Sequence, residues 1–466
     1  MKIIILGGGT AGWIMAMTIA KAQPGTHDIT VIESKKIGIV GAGEGSTGIF
    51  VNFLMGGYFE TGINFKDFVE KTNATVKLGI KHVNWTGDGS HYFAPLDGTR
   101  TSYHSPDFDF CWAVLRNKNK AHTSTLLGQA YEFNYTPTQG NHKQDIYSLH
   151  FDAFKVGEYL SEIAIKSGVR HIDTDISYVV TDETRTEVIS LIDKNDVEYM
   201  ADFFIDCSGF NRTISRAIGI EWVSYANSLP VNSAIAFQKP LDERVEQLTS
   251  AIAMDAGWVW KIPTAERYGM GYVYSNKFIT EQQAIDEVNK KFDNPQILRK
   301  FNFISGRSNV FWKGNCLTLG LSSVFLEPLE ATSIHTTIIQ TLMFVMEHLQ
   351  PTKERTINNY RINDYNKAVA DMHDILKDFL VIHYKGGRTD TEFWRYMNSD
   401  SVNTDRVNHV LDICKDSIVS NLSMQQDSYR MAAIMWNWIL LGLGKIDETN
   451  ASSVLRKQGI GRSRIS

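Results

Sequence analysis

The stretch Ile3-Ile4-Ile5-Leu6-Gly7-Gly8-Gly9-Thr10-Ala11-Gly12-Trp13 decides the fold of this chain. Its apolar residues predict a buried strand, its glycines fit the pattern G-x-G-x-x-G, and the residues from Trp13 onward predict a helix. Gly7 permits a tight turn, Gly9 lets a pyrophosphate approach the backbone, and Gly12 lets the helix pack closely on the strand. The stretch therefore predicts a dinucleotide-binding βαβ unit in an α/β protein.

The helix that follows the glycines points its free N–H groups and positive dipole end at the phosphates, so Thr10 and Ala11 are candidate cofactor contacts. Ile29-Thr30-Val31-Ile32 predicts a second strand that ends at Glu33. An acidic side chain about 20 residues beyond the glycines accepts a hydrogen bond from a ribose 2′-hydroxyl and would repel the 2′-phosphate of NADP. FAD and NAD both remain candidates at this point.

Two later stretches are candidates to return to the same ligand. The glycine-rich segment from Ile37 to Gly48 is either a flexible loop or a second close approach of the backbone to the ligand. Asp206-Cys207-Ser208-Gly209-Phe210 follows a predicted strand, and Asp-x-x-Gly at a strand end is a weak signal for an element of a dinucleotide site.

Length and charge limit the class of protein. A chain of 466 residues exceeds the usual size of one hydrophobic core, and we expect a core over residues 1–384 and a helical lobe over 385–466. A net charge of -5 with scattered basic residues argues against a nucleic-acid surface. The sequence shows no apolar stretch long enough to span a membrane and no metal-binding spacing among its four cysteines, which favours a cytoplasmic protein with free thiols.

The stretch Thr75-Val76-Lys77-Leu78-Gly79-Ile80-Lys81-His82-Val83-Asn84-Trp85 predicts one strand with Lys77 and Lys81 on the same face. Taken alone, this pattern is typical of an exposed edge strand protected by lysines. The segment from about 86 to 150 is rich in aromatic and turn residues, and we predict irregular structure there.

Two further motifs carry unusual side chains. In Gly257-Trp258-Val259-Trp260-Lys261-Ile262-Pro263, alternation places both indoles on one face of a strand, where they are either core or the wall of an aromatic cavity. Glu327 and Glu330 lie at a predicted strand-to-helix junction. A carboxylate there could be a general base or could complement the helix dipole.

Taken together, these motifs resemble the FAD-dependent halogenases of the tryptophan-halogenase type. The similar blocks are Gly-Gly-Gly-Thr-Ala-Gly-Trp at 7–13, Gly-Ala-Gly-Glu at 41–44, Asn-Ala and Val-Asn-Trp around Lys77, His-Phe-Asp-Ala at 150–153, Asp-Cys-Ser-Gly-Phe at 206–210, Ser-Ala-Ile-Ala-Met at 250–254, Gly-Trp-Val-Trp-Lys-Ile-Pro at 257–263, Gly-Tyr-Val-Tyr-Ser at 271–275, Glu-Pro-Leu-Glu at 327–330 and Arg-Thr-Asp-Thr-Glu-Phe-Trp at 388–394. The W-x-W-x-I-P block is the most specific of them.

The resemblance implies an FAD-binding Rossmann-type lobe like that of aromatic hydroxylases, a mixed-sheet substrate lobe and a C-terminal helical part. It implies FAD as the cofactor, with Gly41, Ala42, Gly43 and Glu44 added to its site. Reduced FAD would come from a separate flavin reductase and, with O₂ and a halide, would yield hypohalous acid. The enzyme could also assemble as a homo-oligomer.

The resemblance also assigns roles to single residues. Lys77 matches the catalytic lysine, which would hydrogen-bond hypohalous acid or capture it as a haloamine. Glu330 matches the catalytic glutamate, and the N–H groups of Thr332 and Ser333 match the halide site.

The same resemblance implies a substrate pocket in which Trp258 and Trp260 keep organic molecules away from the flavin. His91 and Phe93 are candidates for the family's H-x-F pair beside the aromatic substrate. No metal is implied by the resemblance.

Departures from the family pattern concern the halide and the substrate. Where the family has serine and glycine after the catalytic glutamate, this chain has Ala331 and Ser333, which favours bromide or iodide over chloride. The residues that hold free tryptophan have no match, and Ser428-Tyr429-Arg430-Met431-Ala432-Ala433 occupies that region. We therefore expect another electron-rich aromatic substrate. An FAD-dependent aromatic hydroxylase is the alternative enzyme, and a dinucleotide-binding protein without turnover is the alternative without chemistry.

Overall fold

The computed structural model describes residues 1–34, 44–96, 106–117, 147–349, 359–421, 423–424 and 431–457. The chain forms two compact units. Unit 1 comprises residues 1–74, 151–224 and 304–373, and unit 2 comprises residues 75–150, 225–303 and 374–466. Residues 374–466 thus belong to the same unit as residues 75–150 and 225–303. This division differs from the expected one, in which residues 385–466 form a lobe of their own.

The strands are short and distributed along the whole chain. They are β1 (Lys2–Leu6), β2 (Asp28–Glu33), β3 (Glu44–Gly45), β4 (Thr75–Lys77), β5 (Gly79–Val83), β6 (His91–Pro95), β7 (Ser148–Phe151), β8 (Arg170–Asp173), β9 (Ile176–Thr181), β10 (Val188–Asp193), β11 (Glu198–Met200), β12 (Phe203–Asp206), β13 (Trp222–Ser224), β14 (Ser233–Lys239), β15 (Leu248–Met254), β16 (Gly257–Pro263), β17 (Tyr268–Tyr274), β18 (Ile297–Asn302), β19 (Gly306–Ser308), β20 (Trp312–Lys313), β21 (Cys316–Thr318) and β22 (Val324–Phe325).

The α-helices lie between these strands and after them. They are α1 (Thr10–Ala22), α2 (Gly48–Leu54), α3 (Phe65–Lys71), α4 (Pro106–Asn117), α5 (Ala153–Lys166), α6 (Thr213–Ala217), α7 (Glu281–Phe292), α8 (Thr332–Leu342), α9 (Asn359–His383), α10 (Glu392–Asn398), α11 (Asp405–Ile413), α12 (Ala433–Gly442) and α13 (Glu448–Lys457). No helix among the described residues is both long and apolar enough to cross a membrane.

Unit 1 contains the sheet that the N-terminal motif predicts. Its six strands lie in the order β20-β21-β12-β1-β2-β8. β1 pairs in parallel with β2 and with β12, and β20 alone runs antiparallel to its neighbour. Because the carboxyl ends of parallel strands meet at one edge, the glycine turn after β1, Glu33 after β2 and Asp206 after β12 lie at the same edge.

Unit 2 contains a mixed seven-stranded sheet in the order β18-β14-β17-β16-β15-β5-β6. Only β5 and β15 run parallel. One face carries Val259, Met270 and Tyr272, which pack with Ala284 and Val288 of α7 in a hydrophobic core. This helix forms there because its start carries a capping box between Thr280 and Gln283.

The opposite face of this sheet carries the two indoles and is called here the tryptophan face. His82, Ala251 and Trp260 are partners across three neighbouring strands, so all three side chains point to this face. Trp258 points the same way, because strand side chains alternate, which confirms the predicted shared face of the two indoles. The Trp260 ring covers Gly271, where an added Cβ would lie 2.1 Å from the ring.

Two predictions from the sequence are wrong in part. The segment from 86 to 150 is not uniformly irregular, since its described residues include β6, α4 and β7. The predicted single strand over 75–85 is two strands, β4 and β5, which end and begin on either side of Leu78. Both errors arise from breaks in alternation that only the packing of the neighbouring strands reveals.

Candidate active site

The glycine loop of unit 1 has the geometry of a phosphate cradle. Gly7 has a φ of 114°, and a Cβ at this position would lie 2.1 Å from the Cys207 carbonyl oxygen. A Cβ on Gly12 would lie 2.0 Å from the Gly7 oxygen, whereas the Cβ direction of Gly9 has no atom within 4 Å. Two glycines are therefore required by close packing, and Gly9 leaves open space for a ligand.

The first turn of α1 is suited to an anion. Its N-cap residue is Gly9, which makes no side-chain cap hydrogen bond, and the first turn contains no acidic residue. The first backbone bond of the helix runs from Trp13 N–H to the Gly9 oxygen at 3.1 Å. The N–H groups of Thr10 and Ala11 precede this bond and have no acceptor within the helix, which fits the pyrophosphate of a dinucleotide.

Glu33 lies against this loop, as the ribose role requires. A Cβ on Gly8 would lie 1.9 Å from a carboxylate oxygen of Glu33, so the two residues are in close contact. His171 on the neighbouring strand β8 places Nε2 2.8 Å from the Glu33 carboxylate and packs edge-on against Trp13. No sequence motif pointed to His171, because only strand order brings β8 beside β2.

The predicted second glycine segment falls largely outside the described residues. Gly41, Ala42 and Gly43 belong to that undescribed part, and the structure resumes with the backbone of Glu44 in β3. Their assignment to the FAD site stays a prediction.

Asp206 organises the loop after β12. Its buried carboxylate accepts hydrogen bonds from the N–H and hydroxyl of Ser208 at 3.0 and 2.6 Å, and from those of Ser215 at 2.8 and 2.6 Å. The Ser322 hydroxyl adds a longer bond of 3.3 Å. Ser322 belongs to the 3-10 turn Gly320–Ser322, where a Cβ on Gly320 would lie 2.6 Å from the Cβ of Ala11. The Asp-x-x-Gly motif thus lies beside the dinucleotide loop.

A second helix start in unit 1 carries the predicted halide residues. Glu330 ends the 3-10 turn Pro328–Glu330 and is 7% exposed. Ala331 adopts a left-handed backbone with a φ of 52° and is the N-cap of α8, without a side-chain cap hydrogen bond. Thr332 and Ser333 are therefore the first residues of the helix, and their N–H groups are free of intrahelical acceptors. The structure thus brings Glu330, Thr332 and Ser333 together.

The second turn of α8 is hydrogen-bonded to the end of the glycine-rich segment. His335 Nδ1 lies 2.9 Å from the hydroxyl of Thr47. Burial lowers the pKa of His335 to about 4, so this ring is neutral at physiological pH. This neutral ring adds no charge to the start of the helix.

In unit 2, Lys77 is buried rather than solvated. It ends β4, which pairs with β7, and only 1% of its surface is exposed. Burial and then the positive charge of Lys77 lower the pKa of His150 well below its usual value, and His150 Nε2 lies 2.9 Å from the Thr249 hydroxyl. Lys81 differs, since its ammonium pairs at 3.0 Å with Glu246 and is partly exposed. The interpretation as an exposed edge-strand lysine fits neither residue, since Lys77 is buried and the strand of Lys81, β5, lies between β15 and β6.

The tryptophan face is the aromatic wall next to this lysine. Trp258 is fully buried and Trp260 is 8% exposed. Thr249, the partner of His150, points to the same face because it pairs with Ile80, two residues before His82. The structure therefore brings Lys77 together with the wall that carries both indoles.

His91 and Phe93 do not share that wall. They alternate with Tyr92 along β6, and Tyr92 is the residue that pairs with His82 on the tryptophan face. Phe93 pairs instead with Lys81, and His91 is exposed. The structure separates these two residues from Trp258 and Trp260, because an offset of one residue reverses the face of a strand.

These features are typical of an enzyme with a dinucleotide-binding loop and an aromatic-lined site. The model of the tryptophan halogenase family matches residues 2–457, and the chain belongs to this family. It is 32% identical over 461 residues to tryptophan 7-halogenase RebH of Lentzea aerocolonigenes, covering 92% of this chain and 84% of the relative.

Solved structures agree with this assignment. Tryptophan 6-halogenase SttH of Streptomyces toxytricini superposes with a TM-score of 0.84 at 27% identity, over 100% of this chain and 96% of that one. Xcc4156, a flavin-dependent halogenase of Xanthomonas campestris, gives 0.85 at 28% identity, over 100% and 94%. The predicted family, fold class and enzyme class are confirmed, and the aromatic hydroxylase is not favoured. Enzymes of this family depend on a separate flavin reductase.

Substitutions at Gly7 and Gly9 should affect stability and FAD binding separately. Gly7→Ala should destabilise the apoprotein by about 1–3 kcal/mol, because the new Cβ collides with the Cys207 carbonyl in a backbone unfavourable to alanine. Gly9→Ala should leave the unfolding free energy within about 0.5 kcal/mol of the parent, yet weaken FAD binding about tenfold or more by filling the open space. Urea unfolding and FAD titration measure the two effects. Undiminished FAD affinity in Gly9→Ala would contradict the cradle.

Proposed function

We propose that this enzyme uses reduced FAD, O₂ and a halide to make hypohalous acid, which halogenates an electron-rich aromatic substrate other than free tryptophan. The observation that carries the proposal is the burial of Lys77 near His150, whose partner Thr249 lies on the tryptophan face. A charged amine is costly to bury, and proteins retain such groups chiefly where they act.

The residues of unit 1 fit a bound FAD. The glycine loop and the first N–H groups of α1 would hold the pyrophosphate, and Glu33, positioned by His171, would accept from the ribose hydroxyl. When bound, reduced FAD would donate the electrons that activate O₂, and the activated oxygen would oxidise the halide to hypohalous acid.

The start of α8 supports a halide site. Free N–H groups of Thr332 and Ser333 and the positive end of the helix dipole attract an anion. The first turn of the helix contains no acidic residue that would compete with it. Glu330 precedes this turn and is nearly buried, which suits a general base that takes the proton released when the ring is halogenated.

Lys77 would act on hypohalous acid after it forms. Its ammonium can donate a charge-assisted hydrogen bond that makes the halogen more electrophilic, or its neutral amine can take the halogen as a haloamine. The low pKa of His150 keeps the neighbouring imidazole uncharged, so the positive charge in this place belongs to the lysine. Trp258 and Trp260 form the adjacent wall.

A single incubation tests the function. The enzyme is combined with a flavin reductase, NADH, O₂, bromide and a panel of phenols, indoles and tryptophan, and the products are examined by mass spectrometry. The isotope doublet of bromine on a phenol or a simple indole is the expected result. Oxygen insertion without bromine would indicate a hydroxylase, and bromotryptophan as the dominant product would overturn the proposed substrate.

A matched pair of lysine variants tests the role of Lys77. Lys77→Met should continue to oxidise reduced flavin but lose halogenated product by about 10²-fold or more, because the buried amine acts after hypohalous acid is made. Lys81→Met is the control, because Lys81 of β5 is partly exposed and pairs with Glu246. This variant should retain halogenation. Comparable product yields from Lys77→Met and the parent would show that the role is wrong.

The start of α8 makes a prediction about the halide. In competition at equal concentrations, brominated product should exceed chlorinated product, because chloride is the more strongly hydrated ion and each lost charge-assisted hydrogen bond costs it about 1.5–3 kcal/mol. The double substitution Ala331→Ser with Ser333→Gly restores the family pattern and should raise the chlorinated fraction. Ser333→Ala alone tests whether the Ser333 hydroxyl contributes. A dominant chlorinated product from the parent enzyme would contradict the assignment.

A further inference from the structure

A buried histidine of unit 2 has no role in the chemistry described so far. His82 lies on β5, points to the tryptophan face and has no exposed surface. Neither of its ring nitrogens has a hydrogen-bond partner within the part of the chain that the structure describes. Buried polar atoms are nearly always paired, so both nitrogens indicate a missing partner.

The imidazole of His82 is uncharged. Burial, and secondarily the nearby His383, lower the pKa of His82 well below its usual value. A neutral imidazole offers one N–H donor and one acceptor nitrogen, and its tautomer can change to suit the ligand.

Flat rings surround His82 on several sides. Tyr92 stacks on it with ring centroids 4.6 Å apart and an angle of 6°, and Trp85 meets it edge-on at 5.5 Å. His383 lies at 5.3 Å and is oriented by a 2.8 Å hydrogen bond from its Nδ1 to the Phe379 carbonyl oxygen. These surroundings match a planar aromatic ligand.

A second polar group in the same ring cluster also has no partner among the described residues. Trp436 of α12 is fully buried, and its indole N–H makes no hydrogen bond. It joins the cluster through Phe379, which lies 5.1 Å from Trp436 and 4.8 Å from His383 between ring centroids. An indole N–H can only donate, so a ligand that satisfies it brings an acceptor such as oxygen.

We propose that His82 selects a hydroxylated aromatic substrate, a phenol in chemical class, by hydrogen-bonding its hydroxyl group. This inference rests on the proposed function, since it names the substrate of the same site. A hydroxyl both donates and accepts, so it pairs with either tautomer of His82 and can meet the donors of this cluster. The N–H of an indole substrate only donates and brings no acceptor oxygen.

Binding measurements on the full-length enzyme test this inference without turnover. The probes are 2-naphthol and 2-methylnaphthalene, which have nearly the same shape but differ in the hydroxyl, together with indole. The parent enzyme should bind 2-naphthol about 10- to 100-fold more tightly than 2-methylnaphthalene. Equal affinity of the parent for these two probes would overturn the proposal, whatever the variants do.

A matched pair of variants locates the preference. His82→Phe should reduce the ratio of the two affinities to near 1, while keeping affinity for 2-methylnaphthalene and indole. His348→Phe is the control, because His348 of unit 1 is another buried histidine whose ring nitrogens have no described partner, yet it retains 8% exposure and should keep the preference. An unchanged ratio in His82→Phe would show that another group recognises the hydroxyl and would overturn the proposal.

Three other outcomes of these measurements also have a defined meaning. If His82→Phe does not fold, His82→Gln, which keeps a polar side chain, and the probe pair on the parent enzyme decide the question. If the parent enzyme binds 2-naphthol preferentially but halogenates nothing, the proposed function fails while the phenol site stands. If it halogenates indoles and shows no hydroxyl preference, the inference about His82 fails and the halogenase function stands.

Discussion

The bonds of the Asp206 carboxylate hold the dinucleotide side of this protein in place. A buried carboxylate is tolerated when its oxygens are hydrogen-bonded, and here Ser208 and Ser215 each provide an N–H and a hydroxyl. The charge of the nearby Arg212 adds to this stabilisation. The bond from Ser322 extends this network to the turn that contacts α1. The strand β12, the start of α6 and the Gly320 turn are thereby fixed in one arrangement around the glycine loop.

The substrate side of the chemistry depends on a different electrostatic balance. Unit 2 buries two lysines among its described residues, Lys77 and Lys385, and the buried His150 lies near Lys77. His150 and His82 both have lowered pKa values because they are buried, so neither competes with the lysine for protons.

The N-terminal unit was predictable from sequence, because its signals are local. Gly7, Gly12 and Glu33 act through backbone geometry and strand ends that recur wherever a dinucleotide binds, and the structure places all three as expected. The location of Trp258 and Trp260 on one face followed from alternation alone.

The rest of the site depends on non-local pairing. Lys77 and Lys81 look equivalent in a period-two pattern, and only the break at Leu78 gives them different surroundings. The face on which His91 and Phe93 lie could not be predicted, because nothing in the sequence states the register of β6 with β5. His82 was also missed. It stands out because its ring nitrogens have no hydrogen-bond partner among the described residues, and a sequence does not show which groups are hydrogen-bonded.

The aromatic wall has a consequence for the durability of the catalyst. Indoles are the kind of ring that an electrophilic halogen attacks, so an enzyme that handles hypohalous acid beside Trp258 and Trp260 exposes its own side chains to its reagent. Trp85 and Trp394 behind them are anchored by indole N–H bonds of 2.9 and 2.8 Å to backbone carbonyls of Ala251 and Met254. In each catalytic cycle in which hypohalous acid meets no substrate, the acid can halogenate the enzyme's own tryptophans. The number of turnovers before inactivation then depends on how tightly these rings are packed.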